Sequence, residues 1–390
     1  MMPRKPVKLM LLGCLCFVLP LWQGGAESFF LQTLRPKDAR TMALGGTYGT
    51  TSRGYGTLYG NPAGFSLGKA QFATFSSLWI YAPLSEKNIH TLLGSGSKEE
   101  NLHTLEEVLL SNGFGGGALA GLGISGNNLG LGITLITDNY GKGETGAPDP
   151  SWYSQTQGNF IIGMAVPLTI GSATLAIGGD VRPFFRIEGS TSATAFIQNF
   201  VAGGIPQVFT GMLDKEARFG VGLALDLGLL VQFDRFEMGL TVRDIGFPFP
   251  MGTVTYQETL QSFASLSLPR NKGSLTDSAQ PIPEVNLGFR WAPYGVPGIL
   301  EPLLLLEIQD PIPVFMDGAS WWNLLHLGLE VKTLSFLSLR TGFNKGWISG
   351  GLALNLTFCT IEGAIFTEEL GLQWGSQPRS GFSLTAALHF

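Results

Sequence analysis

Charge is what this sequence has least of. Asp, Glu, Lys and Arg make up 14% of its 390 residues, against about 25% in an ordinary soluble domain. The formal net charge is −5, mildly acidic and thinly spread, so there is no basic face for nucleic acid. With 44% apolar residues, the chain also lacks the low hydrophobicity and high charge of a disordered one. Beyond the extreme N-terminus it lacks the run of ~18 apolar residues that a membrane-spanning helix needs. Cysteine is scarce: Cys14, Cys16 and Cys359. If the first two leave with a leader, Cys359 alone remains, a small apolar residue in an apolar strand. That excludes an intrachain disulfide and a Cys-based zinc site. His90, His103, His326 and His389 are scattered without metal-ligand spacing. No glycine-rich stretch followed by Lys-Ser or Lys-Thr forms a phosphate loop, and no serine sits in a nucleophile elbow. The residues thus point to no cofactor, no metal and no enzyme. Glycine, by contrast, is abundant, at 54 residues, about twice the average 7%. An apolar, glycine-rich, charge-poor chain without spanning helices points to β-structure in a membrane.

The first residues read as an address. Arg4, Lys5 and Lys8 precede the apolar stretch from Leu9 to Leu19, and Gly24-Gly25-Ala26 supplies small residues at a cleavage site. That order is a secretory signal peptide, cut after Ala26. The rival is a lipoprotein signal, because Leu11-Leu12-Gly13-Cys14 resembles a lipobox. Too few apolar residues precede Cys14 for that to lead.

The rest of the chain alternates. Successive side chains of a strand point to opposite faces. Phe236, Met238, Leu240 and Val242 oppose Glu237, Gly239, Thr241 and Arg243. Leu325, Leu327, Leu329 and Val331 oppose His326, Gly328, Glu330 and Lys332, and the pattern returns at 218–228, 284–291 and 381–390. A soluble sandwich alternates too. Here, however, the second face mixes charge with Gly, Ala, Ser and Thr, as the lumen of a membrane barrel does. Fourteen strands are predicted, at 71–81, 114–125, 128–138, 158–168, 173–186, 217–232, 235–245, 283–292, 300–309, 323–332, 335–344, 347–357, 359–368 and 381–390. Most are near the ~9–11 residues that cross a bilayer at a tilt. The gaps alternate long and short, Lys345-Gly346 excepted. Long outer loops and short periplasmic turns are the habit of outer-membrane barrels.

The lumen face would hold Asp180, Arg182, Arg218, Asp226, Glu237, Arg243, Glu284, Arg290, Glu307, Glu330, Arg340 and Glu362. Such charges must pair across strands or with whatever fills the lumen. Their mixed signs argue against a strongly ion-selective pore. Residues 27–70 are rich in glycine and turn formers and read as irregular, either a segment inside the barrel or a periplasmic tail.

Ala39-Arg40-Thr41-Met42-Ala43-Leu44-Gly45-Gly46, followed by Leu58-Tyr59-Gly60-Asn61-Pro62-Ala63-Gly64, resembles the N-terminal hatch of FadL-like outer-membrane proteins, most closely the branch with PorV-type and uncharacterised relatives. The stretches Asp226-Leu227-Gly228 and Leu240 to Gly246 share the likeness. The resemblance implies an all-β fold, a transmembrane antiparallel β-barrel of about fourteen strands with an N-terminal plug. Its divisions would be a signal peptide over 1–26, a hatch over 27–70 carrying Gly45, Gly46, Asn61, Pro62, Ala63 and Gly64, and a barrel over 71–390. It further implies a monomer in the outer membrane of a diderm bacterium that takes up long-chain fatty acids or other hydrophobic molecules. A final strand ending in Phe390 resembles the signal read by the barrel-assembly machinery. In the family the third and fourth outer loops hold the first ligand groove. Here those loops carry Phe196, Ile197, Phe200 and Val201, and Tyr256, Leu260, Phe263 and Leu266, at helix-like spacing. The alternatives are a PorV-like barrel that partners a secretion or surface-attachment system without transporting, and a surface-exposed structural or adhesive protein.

Overall fold

The computed structural model describes residues 28–31, 33–50, 52–83, 85–92, 95, 97–143, 151–265, 267–269, 277–311, 314–315 and 318–390. The expected signal peptide and Leu266 lie outside them. Its strands are β1 (Ser28–Leu31), β2 (Gln71–Tyr81), β3 (Phe114–Gly126), β4 (Leu129–Gly141), β5 (Ser151–Ile170), β6 (Ala173–Ser192), β7 (Glu216–Phe233), β8 (Phe236–Gly246), β9 (Phe249–Thr255), β10 (Asp277–Pro281), β11 (Glu284–Trp291), β12 (Leu300–Gln309), β13 (Leu325–Thr333), β14 (Leu337–Asn344), β15 (Trp347–Asn355), β16 (Cys359–Glu369) and β17 (Pro378–His389). The helices are α1 (Ala39–Ala43), α2 (Glu86–Leu92), α3 (Lys98–Ser111), α4 (Ala193–Met212) and α5 (Tyr256–Ala264).

Fourteen of these strands close a ring. β2 to β8 pair in sequence, β8 pairs with β11, β11 to β17 pair in sequence, and β17 returns to β2 with Leu384 opposite Leu78. Every contact in the ring is antiparallel, so the wall has no free edge to offer lipid. Leu129, Leu131, Ile133 and Leu135 of β4, and Ile162, Met164, Val166 and Leu168 of β5, stand exposed on the outside. Their neighbours in sequence turn inward, as the period of two requires. The apolar belt continues through Leu287, Leu304, Leu306, Leu327, Leu352 and Leu384. An apolar surface of that extent needs hydrocarbon rather than water around it. The chain is a β-barrel membrane protein.

The fourteen strands expected from alternation all form. Turns at one end are tight. Asn127 and Asn128 connect β3 to β4 with φ of 50° and 70°, the paired left-handed residues of a turn that matches strand twist. The other end carries α2 and α3 between β2 and β3, α4 between β6 and β7, and β9, α5 and β10 between β8 and β11. β5, β6 and β7 run 20, 20 and 18 residues, well past the ~11 that span a bilayer. β7 was expected at nearly this length, whereas β5 and β6 were expected shorter, because ends such as Ser154 to Gln157 are polar on both faces. Their short connection at Gly171 fixes where the surplus goes, so they project at the long-loop end.

Three strands were not expected. β9 pairs with the first residues of β7, β10 pairs antiparallel with β9, and β1 lies parallel to β10. Residues 28–31 therefore stand at the long-loop end, which corrects the reading of 27–70 as free of strands. From there the chain runs through 33–67, with α1 and 3-10 turns at Gly54–Leu58 and Pro62–Ser66, to β2 at the short-turn end. This segment packs against inward side chains around the ring. A barrel of fourteen strands is too wide for wall side chains alone to fill.

Candidate functional site

The site is built where the segment meets the wall. Arg35 Nε lies 2.7 Å from Glu284 of β11, Lys37 Nζ 2.6 Å from Glu368 of β16, Arg40 Nη1 2.6 Å from Glu330 of β13, and Arg53 Nη2 2.6 Å from Glu237 of β8. Glu307 of β12 accepts the backbone N–H groups of Tyr48 and Gly49, each at 2.9 Å. The Tyr48 hydroxyl donates a short hydrogen bond to Glu284, which also accepts from Asn286 at 2.6 Å. Asp38 caps α1 by accepting the Thr41 N–H.

The wall supplies its own pairs. Arg340 bridges Glu330 at 2.8 Å and Glu362 at 2.9 Å, and Arg379 holds Glu368 at 2.6 Å. Arg182 bonds both Asp226 and Asp244, and Arg243 bonds Asp226 at 3.3 Å. The last group sits at a bulge between β7 and β8, where the register shifts at Leu225 and Leu227. A bulge re-aims side chains, and here it brings Asp226 to the Asp244 N–H at 2.7 Å. The expected pairing of lumen charges is thus met for Arg182, Asp226, Glu237, Arg243, Glu284, Glu330, Arg340 and Glu362. Arg218 lies outside the lumen on the projecting end of β7, 3.9 Å from Glu188.

The motif residues fall on two sides of the wall. Gly45 and Gly46 take φ of 73° and 84°, where glycine meets no steric penalty. His326 Nδ1 donates to the Gly45 carbonyl at 2.6 Å, and Gln309 donates to that of Gly46 at 2.6 Å. Asn61 lies across the lumen against β6 and β7. Its Oδ1 accepts the Ala63 N–H at 2.9 Å, its Nδ2 donates to the Leu229 carbonyl at 3.3 Å, and Pro62 opens the turn. Gly178 and Gly228 leave the wall bare where Pro62 and Ala63 touch it. Gly64 sits against Thr57 and Ser52. The motif therefore holds the segment's shape and its seat.

One sector of the lumen is apolar. Phe75, Trp79 and Tyr81 of β2, Leu119 of β3, Ile136 of β4 and Ile161 of β5 pack with Leu58, Tyr59 and Phe65 of the segment. Above it, at the long-loop ends of the same strands, Ala82, Phe114 and Trp152 pack with Leu105, Val108 and Leu109 of α3 and Phe196, Ile197, Phe200 and Val201 of α4. The rings of Trp152 and Phe196 stack with centroids 3.4 Å apart. Ser97 and Glu100 cap α3 reciprocally, and the Ser97 N–H draws the Glu100 carboxyl below its usual range.

The second set of expected loop residues is elsewhere. Tyr256 and Phe263 of α5 pack with Phe185, Ile187, Ala217, Phe219 and Val254 over β6, β7 and β9. Leu260 is 44% exposed, and Thr259 takes the inner position instead. The two loops were expected to form one apolar pair. Instead each helix packs on the strands nearest to it: the projecting ends of β6 and β7 give α5 its own wall, and α3 occupies the other side of α4. The α3 contribution was missed although Leu102, Leu105, Val108 and Leu109 recur at helical spacing.

At the short-turn end a cavity of about 650 Å³ is lined by Arg53, Leu67, Lys69, Gln71, Gln232 and Phe390, among others. Phe390 is 73% exposed, its N–H donates to the Phe72 carbonyl at 2.9 Å, and its ring lies 6.0 Å from that of Phe72.

No described protein family and no curated protein matches the sequence. Solved structures do. The CymD monoaromatic hydrocarbon channel aligns with a TM-score of 0.51 at 10% identity, covering 92% of this chain and 99% of that one. The fold is shared with that channel. The Pseudomonas putida toluene transporter TodX aligns at 0.44 with 11% identity over 93% and 99%, and a Pseudomonas aeruginosa FadL homologue at 0.42 with 9% identity over 92% and 99%.

Proposed function

We propose that this chain is an outer-membrane channel for the uptake of hydrophobic compounds, long-chain fatty acids among them, with residues 27–70 as its plug. The observation that carries the reading is the apolar column along β2 to β5. Phe196, Phe200, Trp152 and Phe114 stand at its outer end, and Tyr81, Trp79, Phe75 and Phe65 continue it into the lumen. An apolar solute gains about 0.8 kcal/mol for each CH₂ buried, so a column of rings can hold it where a water-filled pore would not. The cavity beside Arg53 and Lys69 is the exit in this reading. Phe390 serves the barrel-assembly machinery, and the protein works as a monomer.

The test is entry of a fluorescent long-chain fatty acid into liposomes carrying the protein, its Phe196→Ala variant or its Phe200→Ala variant. Uptake above that of empty liposomes, reduced in both variants, is the expected result. Equal entry with and without the protein would remove the transport reading. The ion pairs that seat the segment favour a second reading, a PorV-like barrel that partners a secretion system through its outer helices. That reading predicts no uptake and retained binding of exported protein.

A further inference from the structure

Among the described residues, the ion pairs between segment and wall all run one way. The segment brings Arg35, Lys37, Arg40 and Arg53, and the wall answers with Glu284, Glu368, Glu330 and Glu237, on four different strands. The one acid of 33–67, Asp38, caps its own helix. A fifth wall carboxylate, Glu307, is satisfied by segment backbone at Tyr48 and Gly49.

The wall's own cations, Arg290 opposite Glu237 among them, do not make up the difference. Arg340 is shared between Glu330 and Glu362. Arg182 and Arg243 are taken by Asp226 and Asp244. Arg379 meets Glu368 and lies over Tyr81, whose hydroxyl donates to Asp138 at 2.8 Å. The wall therefore mixes both signs with acids in excess, and the segment supplies four of the cations that balance them.

We propose that the wall alone is a latent cation-selective pore, held shut by a basic segment. With the segment displaced, Glu237 and Glu284 lose the cations of 33–67 and Glu307 loses its backbone donors, while Glu330 and Glu368 keep Arg340 and Arg379. A lumen with an excess of one sign of charge concentrates counter-ions and disfavours co-ions, which gives a modest preference rather than strict selectivity. The inference rests on reading 27–70 as a plug, and it is independent of what the channel imports.

The experiment uses the full chain in a planar bilayer under a KCl gradient, with urea raised on one side. Conductance is expected to be absent in buffer, to appear in steps with urea, and to be lost on washing. The reversal potential should then shift toward that of K⁺, with cations preferred about fivefold, roughly 1 kcal/mol. Glu307→Gln should lower that preference, and Arg35→Met should bring the steps at lower urea without altering it. Open steps without cation preference would overturn the charge assignment and leave the plug reading intact. An absence of steps up to the unfolding of the barrel would overturn both. Fatty-acid uptake is read separately in liposomes, so failure of the transport reading is distinguishable from either.

Discussion

Glu368 is the most informative single position in the lumen. Its carboxylate takes Lys37 Nζ at 2.6 Å on one oxygen, and Arg379 on the other through Nη2 at 2.6 Å and Nε at 3.1 Å. Lys37 is 16% exposed and Arg379 is 6% exposed. Glu368→Gln leaves buried Arg379 and part-buried Lys37 facing a neutral amide, and an uncompensated buried charge costs about 3–5 kcal/mol. Lys37→Met removes one charge-assisted hydrogen bond, but Glu368 keeps Arg379 through two contacts. Its cost is about 1.5 kcal/mol. The double variant should cost less than the sum of the singles, because without Lys37 only one cation is left unmatched. The assay is a urea titration in detergent, with segment release read by protease cleavage within 33–67 and barrel integrity by heat-modifiable gel mobility. The reasoning is refuted if Lys37→Met releases the segment as easily as Glu368→Gln, since the seat would then not depend on the shared carboxylate.

Four further outcomes follow from the geometry. Phe196→Ala, which breaks the stack on Trp152, should lower fatty-acid uptake, while Tyr256→Ala, in the separate cluster over β6 and β7, should leave it unchanged; parallel liposome assays decide. Asn61→Ala removes the cap on the Pro62–Ser66 turn and the donor to Leu229, and should ease segment release in the same urea titration by about 1 kcal/mol. Gly45→Ala adds a Cβ that would meet the Leu327 carbonyl and, at 2.6 Å, that of Phe343, from a residue with φ of +73°. The left-handed penalty alone is about 1–2 kcal/mol, so protease access to 33–67 should rise more than for Asn61→Ala. Lys345, in the β14–β15 turn, is pushed down to about 8 by burial with Arg35 nearby. The unfolded chain binds that proton more tightly, so this group's contribution to stability rises as pH climbs from about 8 toward 10. Lys345→Gln should flatten that rise in heat-modifiable gel shifts taken at pH steps across it.

How far the sequence carries the reader depends on the distance over which each signal acts. A strand such as Glu284–Trp291 announces itself, because both of its faces are written in eight consecutive residues. The bilayer then demands the same contrast of every other strand, and the ring becomes legible as a whole. β9 hides behind Pro248 and Pro250, which argue against a strand; the position is tolerated where β9 extends β7 beyond the closed wall. β1 carries no local pattern at all, since its partner β10 is contributed by a distant loop. The lumen charges could be assigned to a face, but not to partners, because Lys37 finds Glu368 only once the segment has been threaded through the ring. The same holds for the outer helices. Helical spacing grouped Phe196 with Phe200 correctly, yet nothing local to α4 and α5 told that Trp152 would claim one helix and Phe185 the other. Alternation fixes which way a side chain points. What it meets there is decided by closure of the barrel, and in this protein the charged and aromatic contacts of the candidate site are nearly all of that second kind.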